Sequence, residues 1–346
     1  MRRIFNRHIK VVIIFTVALL LSCREPVSKH EEKIEVRLIL ADSVSASYLI
    51  GLDPDSNFFR YLTDVDKSIQ MKQKGDTPPS VEQFKKYLAT KVGDFTIVEE
   101  SYLKSVVHDA LRKIARLNRD LIPDSVFLVK IKPDIYGDEA YFTRDKVIYI
   151  PQSALNVHRE KYLERVLIHE LWHLISRYHE DIREKSYEVI GFEKLNECEL
   201  KITDYLRDRL LTNPDAPQIS HYIRVADDGG QEFNVIPIIY SNSSSFSSDK
   251  PDFFDYLEFS LFRIDSMCNM VEDADQEKFF NSVIIDYKRK TGNNTDYIIH
   301  PEEIIADNFM LGVLSYESNN FSEIPLEGKT ILESLIKLWQ SFKKEN

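Results

Sequence analysis

The chain has 346 residues, with 45 Lys+Arg against 56 Asp+Glu and a formal charge of −11, and 43% of its residues are hydrophobic. That apolar share supports a packed core and excludes a disordered or collagen-like chain. An acidic balance without a long Lys/Arg block excludes nucleic acid as the natural partner, and three cysteines are too few for a disulfide framework.

Arg2, Arg3, Arg7 and Lys10 precede an apolar run from Val11 to Leu21. Eleven helical residues cover about half of a bilayer's hydrocarbon, which reads as a secretory signal rather than a membrane span. The run ends in Leu20-Leu21-Ser22-Cys23, which resembles the bacterial lipobox. The resemblance implies a signal peptide over 1–22, lipidation at Cys23, a polar tether over 23–33 and a lipid-anchored envelope protein facing the periplasm or the surface. Removing 1–22 takes four basic and no acidic residues, so the formal charge becomes −15. Cys198 and Cys268 remain, and an oxidising envelope permits them to pair.

Ile34–Leu40 alternates and reads as a strand, and Asn57 to about Lys74 carries helical spacing. Gly75–Ser80 is a break, with Ser80 placed to cap the next helix. A helix is expected over Val98–Asn118 and a strand over Ser125–Ile131. Ala140–Ile150 reads as a hairpin turning at Arg144-Asp145, and Glu160–Tyr178 as a strongly apolar helix. Strands are expected at His221–Val225 and Asn234–Tyr240, with Ser241–Ser248 a mobile surface loop. The last hundred residues read as mainly helical.

The apolar helix carries Val166-Leu167-Ile168-His169-Glu170-Leu171-Trp172-His173-Leu174-Ile175. His169 and His173 are four apart and project from one face toward one point, the bite that a tetrahedral zinc site takes from one helix. Glu170 is rotated about 100° from His169, placed to act on a water rather than to ligate. Every other position from Val166 to Ile175 is apolar, and two histidines and a glutamate in such a segment need partners.

These residues resemble the HExxH zinc metalloproteases, the zincins. The resemblance implies an α+β zincin-like fold: an N-terminal mixed-sheet lobe over 34–180 with the active-site helix, and a mainly helical C-terminal lobe over 181–346. It implies Zn2+ held by His169 and His173, Glu170 as general base, and hydrolysis of a peptide or protein substrate by a metal-activated water. It also sets Ala140–Ile150 as the edge strand against which substrate backbone lies.

The third ligand stays open between branches. His179 follows the metzincin spacing, but Ser176 stands where that family has glycine. The gluzincin branch instead takes a glutamate from a later helix. In His300-Pro301-Glu302-Glu303-Ile304-Ile305-Ala306-Asp307, Pro301 suits a first turn and the acids suit a helix N-terminus. Glu303 and Asp307 stand four apart, as in thermolysin-like enzymes, which implies Glu303 as ligand and Asp307 as the carboxylate orienting a ligand histidine. Glu303 lies 130 residues after His173; Glu184, Glu188 and Glu193 are nearer alternatives. His221, Tyr222 and Tyr240 are candidate oxyanion donors. A non-catalytic metal- or partner-binding envelope lipoprotein shares most of these features. Glu170 argues for the enzyme, because ligation alone does not require it.

Overall fold

A computed structural model describes residues 35–344, except 55–56, 75–76, 134, 138–139, 196–198, 272 and 323. The expected signal peptide and tether, with Cys23, and Cys198 lie outside the described residues. Cys268 is disulfide-bonded.

The chain is α+β. Its first half runs β1 (Arg37–Leu40), α1 (Ser43–Leu49), α2 (Asp64–Gln70), α3 (Val81–Ala89), β2 (Val92–Gly93), α4 (Ile97–Leu117), β3 (Ser125–Ile131), β4 (Phe142–Arg144), β5 (Val147–Pro151) and α5 (Glu160–Tyr178). Short polar residues start the helices where the sequence places them. Ser80 with Gln83, and Thr96 with Glu99, form reciprocal capping boxes on α3 and α4. The helical spacing expected from Asn57 to Lys74 yields only the seven residues of α2. The Asp53 carboxylate accepts the backbone N–H groups of Asn57, Phe58 and Phe59 and holds a turn there, and the helix starts only after the Thr63 cap.

These strands form a mixed sheet in the order β1-β3-β5-β4, with β2 beside the far end of β3. β1, β3 and β5 are parallel, whereas β4 is antiparallel to β5 and forms the edge. The hairpin turn falls at Asp145-Lys146, one residue later than expected, with Asp145 at φ +50°, a left-handed conformation that Asp tolerates better than most residues.

The second half runs α6 (Glu180–Val189), β6 (Phe192–Lys194), α7 (Asp204–Arg207), β7 (His221–Ala226), β8 (Glu232–Ser241), β9 (Leu257–Ile264), β10 (Met270–Val271), α8 (Gln276–Lys290), α9 (Pro301–Ser318) and α10 (Leu326–Ser341). The part after residue 180 carries more helix than strand, as expected, but it also holds an antiparallel five-stranded sheet, β10-β9-β8-β7-β6, of which only β7 and β8 are expected from the sequence. β9 pairs with β8 over eight residues and is buried through Phe259–Phe262, so it shows no two-residue alternation. Of the expected loop Ser241–Ser248, Ser241 ends β8 and the rest is loop, fastened at Ser247 by the Tyr256 hydroxyl.

Residue 180 does not separate two cores. One apolar cluster takes in α4 and α5 together with β7, β9, α8, α9 and α10, and His179 alone links α5 to α6. Trp172 of α5, Phe309 of α9 and Trp339 of α10 meet with ring centroids 5.1–5.6 Å apart. That contact sets α9 against the His169–His173 stretch of α5.

Candidate metal centre

α5 is buried on nearly every side from Leu167 to Ser176 because it is covered by the mixed sheet and by α4 and α9. Its histidines therefore point into protein. The ring centroids of His169 and His173 lie 4.9 Å apart. His169 is held by Asp307, whose Oδ1 is 2.8 Å from Nδ1, so Nε2 faces the Glu303 carboxylate at 3.2 Å. His173 is held in the same sense by Glu302, whose Oε1 is 2.9 Å from Nδ1. Its Nε2 is fully buried with no hydrogen-bond partner, 3.6 Å from Glu303 Oε2.

Two Nε2 atoms and one carboxylate oxygen thus converge. Donors at 2.0–2.1 Å from a tetrahedral centre stand about 3.4 Å apart, and the two distances to Glu303 bracket that value. An orphaned buried imidazole nitrogen is costly unless something binds it. Five carboxylates (Glu170, Asp215, Glu302, Glu303 and Asp307) also surround the two rings. The donor groups His169–Glu170–His173 and His173–Asp215–Glu303 can hold a metal ion.

Protonation follows the same geometry. Burial disfavours charge on His169, but Asp307 and Glu303 outweigh it and hold its pKa well above 6.5. His173 behaves likewise: burial is outweighed by Asp215, Glu303 and Glu302, and its pKa is raised to about 9. Burial pushes Glu302 up, yet bonds from His173, Ser176 and Tyr187 bring it to about 2. Burial raises Glu170 despite both imidazoles.

Glu170 accepts the Thr143 hydroxyl at 2.7 Å, which connects it to edge strand β4. Thr143 N–H donates outward to the Asp215 carboxylate, and Thr143 C=O accepts from Arg177. A cleft beside this point is lined by Arg177, Arg183, Tyr187, His221, His300 and Glu302, with Asp215 in its wall.

Of the sequence candidates, His169, Glu170, His173, Glu303 and Asp307 come together. The others do not. His179 caps the end of α5 and packs on Phe342, 4.9 Å between ring centroids, because α5 stays helical through Ser176 and turns it off the donor face. Glu184 pairs with His221 and Arg183; Glu188 is exposed on α6; Glu193 accepts from Tyr222. Of the proposed oxyanion donors, Tyr222 is spent on Glu193 and Tyr240 packs on Phe262 away from the site, while His221 lines the cleft.

Four residues at the site were not legible in the sequence. Glu302 reads as a helix-start acid, yet it faces His173 because successive helical residues diverge by about 100°. Thr143, Asn213 and Asp215 arrive from distant elements and carry no motif. Asn213 donates to Glu303 Oε1 at 2.7 Å. Tyr297 also stands over His169, 6.3 Å between ring centroids.

No helix among the described residues is long and apolar enough to cross a membrane. No family model matches the chain, and comparison with curated proteins and with solved structures gives no match either.

Proposed function

We propose that this protein is a zinc-dependent peptidase with a zincin-like fold, of the branch in which a glutamate from a later helix completes the metal site. One observation carries the reading: His169 Nε2 and His173 Nε2 lie 3.2 and 3.6 Å from the same Glu303 Oε2, and Glu170 groups with the two histidines. Imidazole and carboxylate donors suit zinc. When bound, zinc polarises a peptide carbonyl and makes water acidic near neutral pH.

The chain's own residues have separable tasks. Asp307 and Glu302 each accept from an Nδ1–H, which fixes the tautomer and leaves both Nε2 lone pairs free to ligate. Glu170 accepts a proton from water and returns it to the departing amine, and the burial that raises its pKa brings it toward working pH. Thr143 holds that carboxylate by its hydroxyl. Strand β4 is an antiparallel edge, and its outward N–H and C=O at Thr143 suit pairing with an extended peptide.

The envelope location belongs to the same proposal. Its support is the basic, apolar and Cys23-terminated leader, together with a disulfide at Cys268. A non-catalytic metal-binding lipoprotein is favoured by one feature, the extra carboxylate of Asp215, since structural zinc sites close with four protein ligands.

Glu170→Gln separates the two. The peptidase retains stoichiometric zinc, measured by elemental analysis, and loses peptide hydrolysis by about 10²- to 10⁴-fold. A variant that cleaves as well as the parent overturns the base assignment, and a parent without zinc overturns the metal site.

A further inference from the structure

The stretch from Thr212 to Pro217, between α7 and β7, lies across the donor atoms. Asp215 is only 8% exposed, and its Oδ1 is 3.9 Å from the orphaned Nε2 of His173. With His173 and Glu303 it forms a second compact donor group. The same carboxylate accepts the outward N–H of Thr143, the donor that an extended peptide on β4 would use. Arg177 binds both Thr143 C=O and Asp215 C=O. The stretch therefore takes the Thr143 N–H that a substrate would use and also stands beside the donor atoms. The neighbouring cleft has Asp215 in its wall but none of His169, His173 and Glu303.

We propose that Asp215 is a fourth ligand in the resting protein, and that the Thr212–Pro217 stretch keeps the site latent by holding the place of both water and substrate. This rests on the metal site proposed above. Asn213 supports it from inside the stretch: its Oδ1 accepts Asp215 N–H, and its Nδ2 donates to Glu303. Asp215 thus reaches the donors from a turn that is itself fastened to the third ligand. Its anchor is the buried Asp66, which accepts Thr212 N–H at 2.9 Å. Activity then depends on the fraction of molecules in which Asp215 has left the metal, since binding and turnover scale with the competent population.

The test compares the full chain with Asp215→Asn and Asp215→Ala. Cobalt(II) binding is followed by its visible spectrum and by chelator competition, with peptide hydrolysis measured beside it. Asn keeps an acceptor for Thr143 N–H but is a poor ligand, so Asp215→Asn separates ligation from folding, which circular dichroism and thermal melting check. The expected result is a changed cobalt spectrum, an affinity weaker by about tenfold or more, and hydrolysis faster by about tenfold or more in both variants. An unchanged spectrum and affinity in Asp215→Asn overturns the ligand assignment while leaving the metal site standing. Weaker binding without faster hydrolysis overturns latency. Absence of metal from parent and variants alike overturns the metal site, and this inference with it.

Discussion

The two walls of the site are held by different forces. On one side α5 and α9 meet through Trp172, Phe309 and Trp339, all fully buried, and the donors ride on that contact. On the other side Thr212–Pro217 is held by individual polar bonds to four elements: Asp215 to Thr143 of β4, Arg177 of α5 to Asp215, Asn213 to Glu303 of α9 and Thr212 to Asp66 of α2. An interlocked apolar contact cannot be opened without exposing large surface. Hydrogen bonds exchange with water at a net cost of about 0.5–1.5 kcal/mol each. The helical wall is suited to fixing donor geometry, and the polar wall is the one that exchanges its bonds with water at lower cost.

The sharpest way to break this contrast is Phe309→Ala. Truncating a fully buried aromatic costs about 3–5 kcal/mol, read as a lower urea midpoint, and metal retention should fall with it because α9 carries Glu303. A loss below about 1 kcal/mol would mean that the aromatic contact does not hold the helical wall together.

Asp66, at the foot of the polar wall, gives the next effect. Burial raises its pKa from 3.8 to about 6, although Thr212 and Gln70 bond to it. The folded protein therefore binds a proton that the unfolded chain has lost between pH 4 and 6. Stability from this group is present below about pH 4 and declines as pH rises to about 6, by up to about 3 kcal/mol. Asp66→Asn removes that decline. Its amide can donate to Gln70 once Gln70 flips, since Gln70 Oε1 is buried with no partner. Melts at pH 7.5 should show the variant more stable than the parent, with the difference vanishing near pH 4; a pH-independent difference would contradict the assignment.

The smallest effect tests positioning alone. In Glu302→Gln the Nδ1 of His173 faces a neutral amide in place of a carboxylate, so the imidazole is a weaker donor with a less certain tautomer. Zinc affinity by chelator competition should fall about 10- to 100-fold with the fold retained. An unchanged affinity would show that the carboxylate does not set the ring.

How far the sequence could be read depended on how local each feature is. α5 appears over Glu160–Tyr178 and β3 over Ser125–Ile131, both as read from spacing, because apolar periodicity reports burial of one contiguous segment. β9 escaped notice because a strand buried on both faces loses its alternation, and β6 and β10 are too short to show any.

The same division holds at the site. His169 and His173 share a face, and Glu303 and Asp307 share another, because four residues make roughly one helical turn wherever the helix lies. Which further residue would meet the histidines was a different kind of question. His179, Glu184, Glu188, Glu193 and Glu303 were all available; packing of α9 on α5 brought Glu303 to both rings and Glu302 to His173, and the Thr212–Pro217 stretch laid Asp215 beside them. Those encounters span 42 to 134 residues, where no backbone repeat relates one side chain to the next. Only burial of the shared core decides them.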